Sequence, residues 1–297
     1  MKTVTIENDF LIVQISPQGA ELRSIKDKLE NMEHQTEYLW QGDSTYWGGR
    51  APVLFPYIAR LTNGQYRLNG KEYRMDIHGF AKDSRFEITK RQQSSVTLTL
   101  EHSEETYRQY PYHFRFDITY QLNGRCLEVI FGVSNFDEKP MFFGIGGHPG
   151  FNVPLAEGLN FEDYVLEFEQ ECQPKRIEFS EDKFVTGEQS QFVLTEGKYI
   201  PLHHDLFDKD AIVLTDVCKA VTLKTGKDNH GIRVAFPQMD YLGIWHMPHT
   251  DAPYVCIEPW TSLPSRSGVI EQLEEKSDLI KLESGEIYKN SWNIEMM

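Results

Sequence analysis

The sequence predicts an all-β protein, a large antiparallel β-sandwich, and two observations support this fold class. Apolar and polar residues alternate along most of the chain, which is the pattern of strands with one buried side. Helical periodicity is scarce, and the best helical candidate, residues 268–276, is short and acidic. Many short strands joined by turn residues favour a sandwich, one edge of which could be partly closed.

The clearest predicted hairpin joins strands at 114–120 and 127–133 through Asn123-Gly124, since both turn residues tolerate positive φ. A polar stretch, residues 172–197, reads as an irregular surface excursion. Further strands are predicted at 65–68, 96–100, 165–168, 211–214, 220–224, 232–236, 242–245 and 287–294.

The chain has 297 residues, a length that allows one or two domains. It contains no linker, low-complexity run or internal repeat, so we expect one domain over residues 1–297. The net charge of −15 disfavours binding to nucleic acids and anionic membranes. No apolar run reaches the length of a membrane span, and the first residues lack the apolar core of a signal peptide. These features predict a cytoplasmic protein.

The four cysteines are widely spaced and form no CxxC pair, which disfavours a zinc knuckle and a disulfide framework. His78, His148 and Glu258 are residue types that bind metals, but no HExxH-type spacing accompanies them, and no metal or organic cofactor is predicted. The adjacent His203-His204-Asp205 reads as a solvated turn. The chain also lacks a GxSxG elbow, a P-loop and a Rossmann fingerprint.

His148 lies in a segment rich in glycine and proline, residues 144–154. We expect these glycines to adopt backbone conformations that other residues avoid and so to aim the imidazole. The alternative is a tight connection between strands in which His148 has no chemical role.

Glu258 follows an apolar strand and precedes Pro259 and Trp260. Burial in such a place would raise its pKa toward the range of a general base. The alternative is a structural ion pair with an arginine. Trp245 offers a flat face of the kind that packs on sugar rings, although core packing is the favoured explanation for this residue taken alone.

Arg60 and His78 each lie beside a turn, where a side chain can meet a ligand. Gly79 would let a ligand or backbone approach His78 closely. A solvated arginine and a structural histidine are the alternatives.

Together these segments resemble the aldose 1-epimerase (galactose mutarotase) family, in particular its shorter bacterial branch that includes LacX-type proteins. The resemblance extends from about residue 5 to the C-terminus and depends on the order of four short motifs. These are residues 55–64 (FPYIARLTNG), 77–80 (IHGF), 147–152 (GHPGFN) and 258–261 (EPWT).

The resemblance implies a galactose mutarotase-like supersandwich and an isomerase that interconverts the α and β anomers of a hexose without a cofactor. Glu258 would act as the base on the C1 hydroxyl and His148 as the acid on the ring oxygen. Arg60 and His78 match the sugar-binding arginine and second histidine of the family.

The sugar-binding aspartate of the family is harder to locate, because the Asp-His-Asn segment of longer members is absent. Residues 206–213 read LFDKDAIV here, and Asp210 is the best match, followed by Asp208 and Asp205. Gly150 also replaces an aromatic residue of the longer members. Both departures affect which sugar fits rather than the acid and base.

Two alternative functions remain at this point. A hexose-6-phosphate 1-epimerase would need a cationic pocket, which Lys82, Arg85 or Arg74 could supply. A non-catalytic sugar-binding or sensing protein would keep the pocket without turnover. The expected partner is a hexose or hexose phosphate, and the sequence leaves the oligomeric state open, a homodimer included.

Overall fold

The computed structural model describes residues 3–28 and 35–297, so residues 1, 2 and 29–34 of the predicted single domain lie outside the described residues. Nearly all regular structure is strand. The strands β1 to β24 are, in chain order, Val4–Glu7, Leu11–Ile15, Leu22–Asp27, Val53–Leu54, Gln65–Leu68, Lys71–Arg74, Glu87–Arg91, Ser95–Glu101, Phe114–Asn123, Cys126–Asn135, Met141–Phe143, Gly146–Gly147, Gly150–Asn152, Val165–Phe168, Lys175–Phe179, Val185–Gln191, Tyr199–Pro201, Ile212–Thr215, Ala220–Lys224, Ile232–Ala235, Tyr241–Trp245, Tyr254–Trp260, Ile280–Leu282 and Ile287–Met296.

Helical structure is limited to short segments in the described parts of the chain. They are the α-helix α1, Glu104–Gln109, and the 3-10 helices Thr62–Gly64, Ala81–Asp83, Phe161–Asp163 and His204–Phe207.

Two large antiparallel sheets form the molecule, which confirms the predicted all-β sandwich. One has nine strands in the order β17-β14-β19-β20-β24-β10-β9-β8-β7. The other has eight strands, β16-β15-β18-β21-β22-β12-β4 with β13 paired to β22. The last strand, β24, lies between β20 and β10 and so joins the two halves of the nine-stranded sheet.

The core lies between these sheets and is strongly apolar. A connected set of buried residues runs from Val4 to Met296 and combines both large sheets. Phe116 and Phe131 come from the nine-stranded sheet, and Leu242 and Ile257 from the eight-stranded sheet. Because side chains alternate along a strand, the outer sides of most strands remain free for polar residues and for loops that form a cleft.

Most predicted strands are confirmed, including the hairpin, in which Asn123 pairs with Cys126. The predicted helix at 268–276 is wrong. The segment is a series of turns whose backbone bonds to β5, with the Arg67 N–H donating to Glu271 O (2.8 Å) and the Leu273 N–H to Arg67 O (3.0 Å).

Residues 172–197 are also more regular than predicted. They carry the antiparallel pair β15 and β16, which extends the edge of the eight-stranded sheet. The helix α1 was not predicted; it begins at a capping box in which Ser103 and Thr106 bond reciprocally.

Among the described residues, no helix is long and apolar enough to cross a membrane.

Candidate active site

A cleft of about 1200 Å³ opens on the eight-stranded sheet. Its lining combines polar side chains from several loops with aromatic ones, as is usual for a small-molecule site. All six residues that the sequence singled out line it: Arg60, His78, His148, Asp210, Trp245 and Glu258.

Glu258 rises from β22, a strand that is buried along its whole length. Its carboxylate is held against the strand β21, where Gly243 is the residue directly opposite. A Cβ on Gly243 would lie 3.2 Å from the Glu258 Cβ and 3.0 Å from the Trp260 ring. The absence of a side chain at 243 therefore leaves room for the carboxylate, which is only 1% exposed.

His148 lies between β12 and β13, next to β22 in the same sheet. Its backbone N–H donates to Pro52 O at 3.2 Å, and the side chain is buried, with 8% of the residue exposed. The Trp47 ring stacks on the imidazole, with the ring centroids 4.9 Å apart and the planes 27° apart. These contacts fix the ring at the floor of the cleft.

The His148 imidazole and the Glu258 carboxylate meet at the floor. His148 Nε2 lies 3.2 Å from Glu258 Oε2, at ion-pair distance but without the alignment of a hydrogen bond. Both Glu258 Oε2 and His148 Nδ1 are buried without a hydrogen-bond partner among the described residues. A buried polar atom without a partner is costly, and such atoms commonly mark a site that a ligand completes.

Burial moves the pKa values of this pair in opposite directions. It lowers the pKa of His148 to about 4, and it raises the pKa of Glu258 well above the ordinary carboxyl value. The negative charge of Asp210 raises the pKa of Glu258 further, while the adjacent Trp260 indole opposes this shift. At neutral pH the His148 imidazole is therefore neutral, and burial favours the protonated form of the Glu258 carboxyl in the ligand-free protein.

His78 faces the pair from the other wall, with its ring centroid 5.5 Å from that of His148. The ring Nδ1 of His78 accepts the backbone N–H of Ala59 (3.1 Å), and the backbone N–H of His78 donates to Ala59 O (2.9 Å). The neutral ring must then carry its proton on Nε2, which makes it a hydrogen-bond donor. Burial, followed by repulsion from the His148 ring when that ring is protonated and by the positive charges of Lys82 and Arg60, lowers the pKa of His78 well below the usual value and favours that neutral form.

Arg60 is exposed at the cleft and contacts no carboxylate within ion-pair distance among the described residues. Its backbone is held, since Arg60 O accepts the Ser265 N–H at 2.9 Å. A charged donor with a fixed backbone and a free guanidinium is suited to sugar hydroxyls or to an anionic group.

The three candidate aspartates differ in position. Asp210 lines the cleft, and its Oδ1 accepts the N–H of Ala211 at 2.9 Å. Asp208 also lines the cleft, but its carboxylate lies 3.1 Å from His249 Nδ1. Asp205 pairs with His203 outside the cleft lining. Asp210 is thus the candidate aspartate that lines the cleft and whose charge acts on Glu258.

Two aromatic residues form the remaining inner wall. Trp245 stands perpendicular to His148, with the centroids 5.8 Å apart, and Trp47 contacts both rings. Sequence reasoning missed Trp47, although an aromatic residue followed by Gly48 and Gly49 was a usable signal. It also missed the outer wall from β15 and β16, which contributes Arg176, Phe179 and Gln191 among others.

The glycines around His148 have a different role from the predicted one. None of the four (144, 146, 147, 150) has positive φ. A Cβ on Gly146 would lie 2.7 Å from Pro259 O, and one on Gly147 would lie 2.6 Å from the Trp292 ring. These residues are glycine because backbone and side-chain atoms of neighbouring strands approach too closely for a side chain.

Left-handed backbone occurs instead at four non-glycine residues of the cleft. They are Ala59, His78, Lys183 and Asp210, with φ of 53°, 66°, 66° and 80°. Such conformations are unfavourable for residues with a Cβ and are concentrated at functional sites. The backbone strain at this site therefore lies in residues that line the cleft rather than in the glycine-rich segment.

Fold and site together define an antiparallel β-sandwich protein with an acid–base cleft of a kind that suits a sugar ring. The aldose 1-epimerase family model matches residues 2–295, and the chain belongs to this family.

Relatives agree over the whole length. The chain is 34% identical to the chromosomal protein LacX of Lactococcus lactis subsp. lactis in an alignment of 305 positions that covers 99% of each chain. A galactose mutarotase related enzyme from Lactobacillus acidophilus superposes with a TM-score of 0.93 at 34% identity, over 100% of this chain and 97% of that one. A galactose mutarotase-like protein from Lactobacillus casei gives 0.93 at 33% identity over the whole of both chains. The fold is therefore galactose mutarotase-like, as the motifs implied.

Proposed function

We propose that this protein is an aldose 1-epimerase that interconverts the α and β anomers of a hexose, with Glu258 as base and His148 as acid. Family membership supports an isomerase-type enzyme. The observation that carries the proposal is the meeting of these two buried groups, 3.2 Å apart, at the floor of a cleft. Opening a sugar ring requires a base and an acid at two oxygens of one carbon, and each positioned group contributes roughly 10²–10⁴ in rate.

The reaction moves protons without changing their number in the pair. Glu258 takes the proton of the C1 hydroxyl while His148 gives a proton to the ring oxygen; the bond from C1 to the ring oxygen breaks and an aldehyde forms. The carboxylate and imidazolium have become a carboxylic acid and a neutral imidazole. Rotation about the C1–C2 bond and ring closure with the roles reversed then give the other anomer.

The pKa shifts of His148 and Glu258 determine which step of this reaction burial favours. Burial favours the neutral form of both groups, which is the form reached when the ring is open. The charged form that begins the reaction needs support from the bound sugar and from donors of the cleft. His78 Nε2–H is suited to donate to a sugar oxygen, and Arg60 and Asp210 are suited to bind hydroxyls. Trp245 and Trp47 offer faces to the ring.

Polarimetry of freshly dissolved α-glucose or α-galactose tests the proposal. We expect the protein to accelerate the change in optical rotation well beyond the spontaneous rate. Glu258→Gln keeps the shape of the site, and we expect it to reduce kcat by roughly 10²–10⁴. Sugar binding in a calorimeter without faster mutarotation would instead show a non-catalytic sugar-binding protein.

A hexose 6-phosphate is the second candidate substrate, and the cations of the cleft favour it. Of the three expected from the sequence, only Lys82 lines the cleft, and it contacts Asp83; Arg85 lines a separate pocket. The structure adds three cations that sequence reasoning missed, but two carboxylates lie among them. These are the cations Arg176, Lys183 and Lys209 and the acids Glu178 and Glu181.

Turnover of glucose and glucose 6-phosphate at several salt concentrations separates the two candidates. A phosphate contact would give tighter binding of the phosphorylated sugar, and added salt would weaken that binding. For a neutral sugar we expect KM to change little with salt.

A further inference from the structure

Cys256 lies beside the acid–base pair, although nothing in its sequence context drew attention to it. It precedes Glu258 by two residues in β22, and side chains two residues apart in a strand point to the same side. The residue is 0% exposed. One ligand atom each from His148, Cys256 and Glu258 lie within 4.8 Å of one another.

We propose that these three side chains form a binding site for a thiophilic divalent cation, with Zn²⁺ as the best fit, and that the bound ion inhibits the enzyme. The binding site stands on geometry alone. The inhibition rests on the proposed function, since it requires that His148 and Glu258 carry the reaction.

The donor set is one that zinc uses. Imidazole nitrogen, thiolate sulfur and carboxylate oxygen bind Zn²⁺ at about 2.0–2.3 Å in tetrahedral sites, often with a fourth position left for water or substrate. Ligand atoms of such a site lie about 3.5 Å apart by this geometry. The three ligand atoms therefore need to approach one another by only about 1 Å. The fourth position would face the cleft.

Two of the three ligands are already short of partners. Glu258 Oε2 and His148 Nδ1 are buried without hydrogen bonds among the described residues, and both side chains are more than nine-tenths buried. The absence of partners is not a general property of buried histidines in this fold, since His246 is bonded through both nitrogens. A cation bound between the three side chains would satisfy Glu258 Oε2, which lacks a hydrogen-bond partner among the described residues.

Charge and proton balance also favour the site. Burial raises the pKa of the Cys256 thiol and that of the Glu258 carboxyl, so it favours the protonated form of each. Zn²⁺ would displace the thiol proton and the carboxyl proton, and both would leave to solvent. The resulting centre, one dication with two anions and a neutral imidazole, has no net charge to bury. Affinity should accordingly increase with pH.

The ionisable groups that face this centre are few. His78 lies across the cleft from His148, and Asp210 acts on Glu258 by its charge. Neither has a ligand atom in the three-residue cluster. With zinc bound, Glu258 could not take a proton and His148 could not deliver one, so sugar and metal would exclude each other.

Equilibrium dialysis with Zn²⁺ alone tests the site, with Cys256→Ser and Cys256→Ala as the altered chains. Cys218→Ser is the matched control, because Cys218 is also buried but bonds to Gln170 O instead. We expect one zinc per chain that is lost, or bound at least tenfold more weakly, when Cys256 is replaced, and that is retained in the control. Equal zinc binding by the Cys256 variants would place the ion elsewhere and overturn the proposal.

Cobalt(II) provides a readout that does not depend on a variant folding correctly. A thiolate ligand gives a sulfur-to-cobalt charge-transfer band, and a tetrahedral site gives intense visible bands. Both should appear in the unaltered protein and in Cys218→Ser. A spectrum with only weak octahedral bands would contradict the site.

Mutarotation measured with and without zinc tests the inhibition, each variant being compared with its own uninhibited rate. We expect inhibition that competes with sugar, is reversed by a chelator and is at least tenfold weaker in Cys256→Ser. Zinc that binds through Cys256 without slowing mutarotation would overturn the inhibition. A protein with no mutarotase activity would overturn the proposed function and leave the dialysis and cobalt results to decide the site.

Discussion

Two histidines of the eight-stranded sheet share a strongly perturbed pKa but differ in their surroundings. Burial lowers the pKa of both His148 and His246 to about 4. His246 Nδ1–H donates to Met247 O at 2.7 Å, and its Nε2 accepts from His204 Nδ1 at 3.1 Å. His148 instead has a buried Nδ1 without a partner among the described residues and faces a carboxyl group through Nε2.

The comparison shows that a shifted pKa does not by itself locate a site. Desolvation acts on any buried ring, including one whose hydrogen bonds are complete. Unsatisfied polar atoms that face a cleft and a reactive neighbour are the more selective signs. By these signs His148 fits the proposed acid, whereas His246 packs against Phe207 and Phe161 beside β21.

The largest expected difference concerns rate. His148→Gln removes the proposed acid and should reduce kcat for mutarotation by roughly 10²–10⁴. His246→Gln should leave kcat within about tenfold, since His246 does not line the cleft. Polarimetry on both variants measures this. Similar losses in the two would mean that the contrast between the rings is not functional.

The expected order reverses for stability. His246→Gln disturbs two hydrogen bonds of a fully buried residue and should lower the free energy of unfolding by about 1–3 kcal/mol. His148→Gln removes a ring with an unsatisfied nitrogen and should change it by less than about 1 kcal/mol. Urea denaturation at pH 7 compares them. A larger loss in the His148 variant would contradict the inference that the unpartnered His148 nitrogen destabilises the ligand-free protein.

The smallest expected effect is a shift in the pH profile. The pair must hold one proton, so kcat/KM should fall below about pH 4, where His148 also becomes protonated, and again above the raised pKa of Glu258. Asp210→Asn removes a charge that raises the pKa of Glu258 and should move the alkaline limb to lower pH. His246→Gln should leave both limbs in place. An alkaline limb unchanged by Asp210→Asn would argue against the contact between the two carboxyl groups.

The strands were predictable where one side of a strand is buried, as in the hairpin of β9 and β10. The pair β15 and β16 was not, because β16 is exposed along nearly all its length and shows no alternation. The segment 268–276 suggested a helix because its apolar residues are spaced as on one side of a helix, but its backbone groups bond to β5 instead. Alternation of apolar and polar residues indicates that one side of a strand is buried. Backbone pairing between distant segments leaves no local pattern in the sequence.

The candidate site likewise has features that the sequence reveals and features that only the fold reveals. Arg60, His78, His148 and Glu258 were identifiable because the family motifs carry them in order. The distance between His148 and Glu258, which are 110 positions apart, depends on the pairing of β12 and β13 with β22. Cys256 was overlooked because an apolar strand gives a buried cysteine no distinguishing context.

The position of β24 has a consequence for how the protein is made. This strand joins the halves of the nine-stranded sheet, and its Trp292 contacts the backbone at Gly147, beside His148. His148 and Glu258 both leave the ribosome before this strand does. We therefore expect nascent chains to hold an unfinished cleft until β24 inserts between β20 and β10.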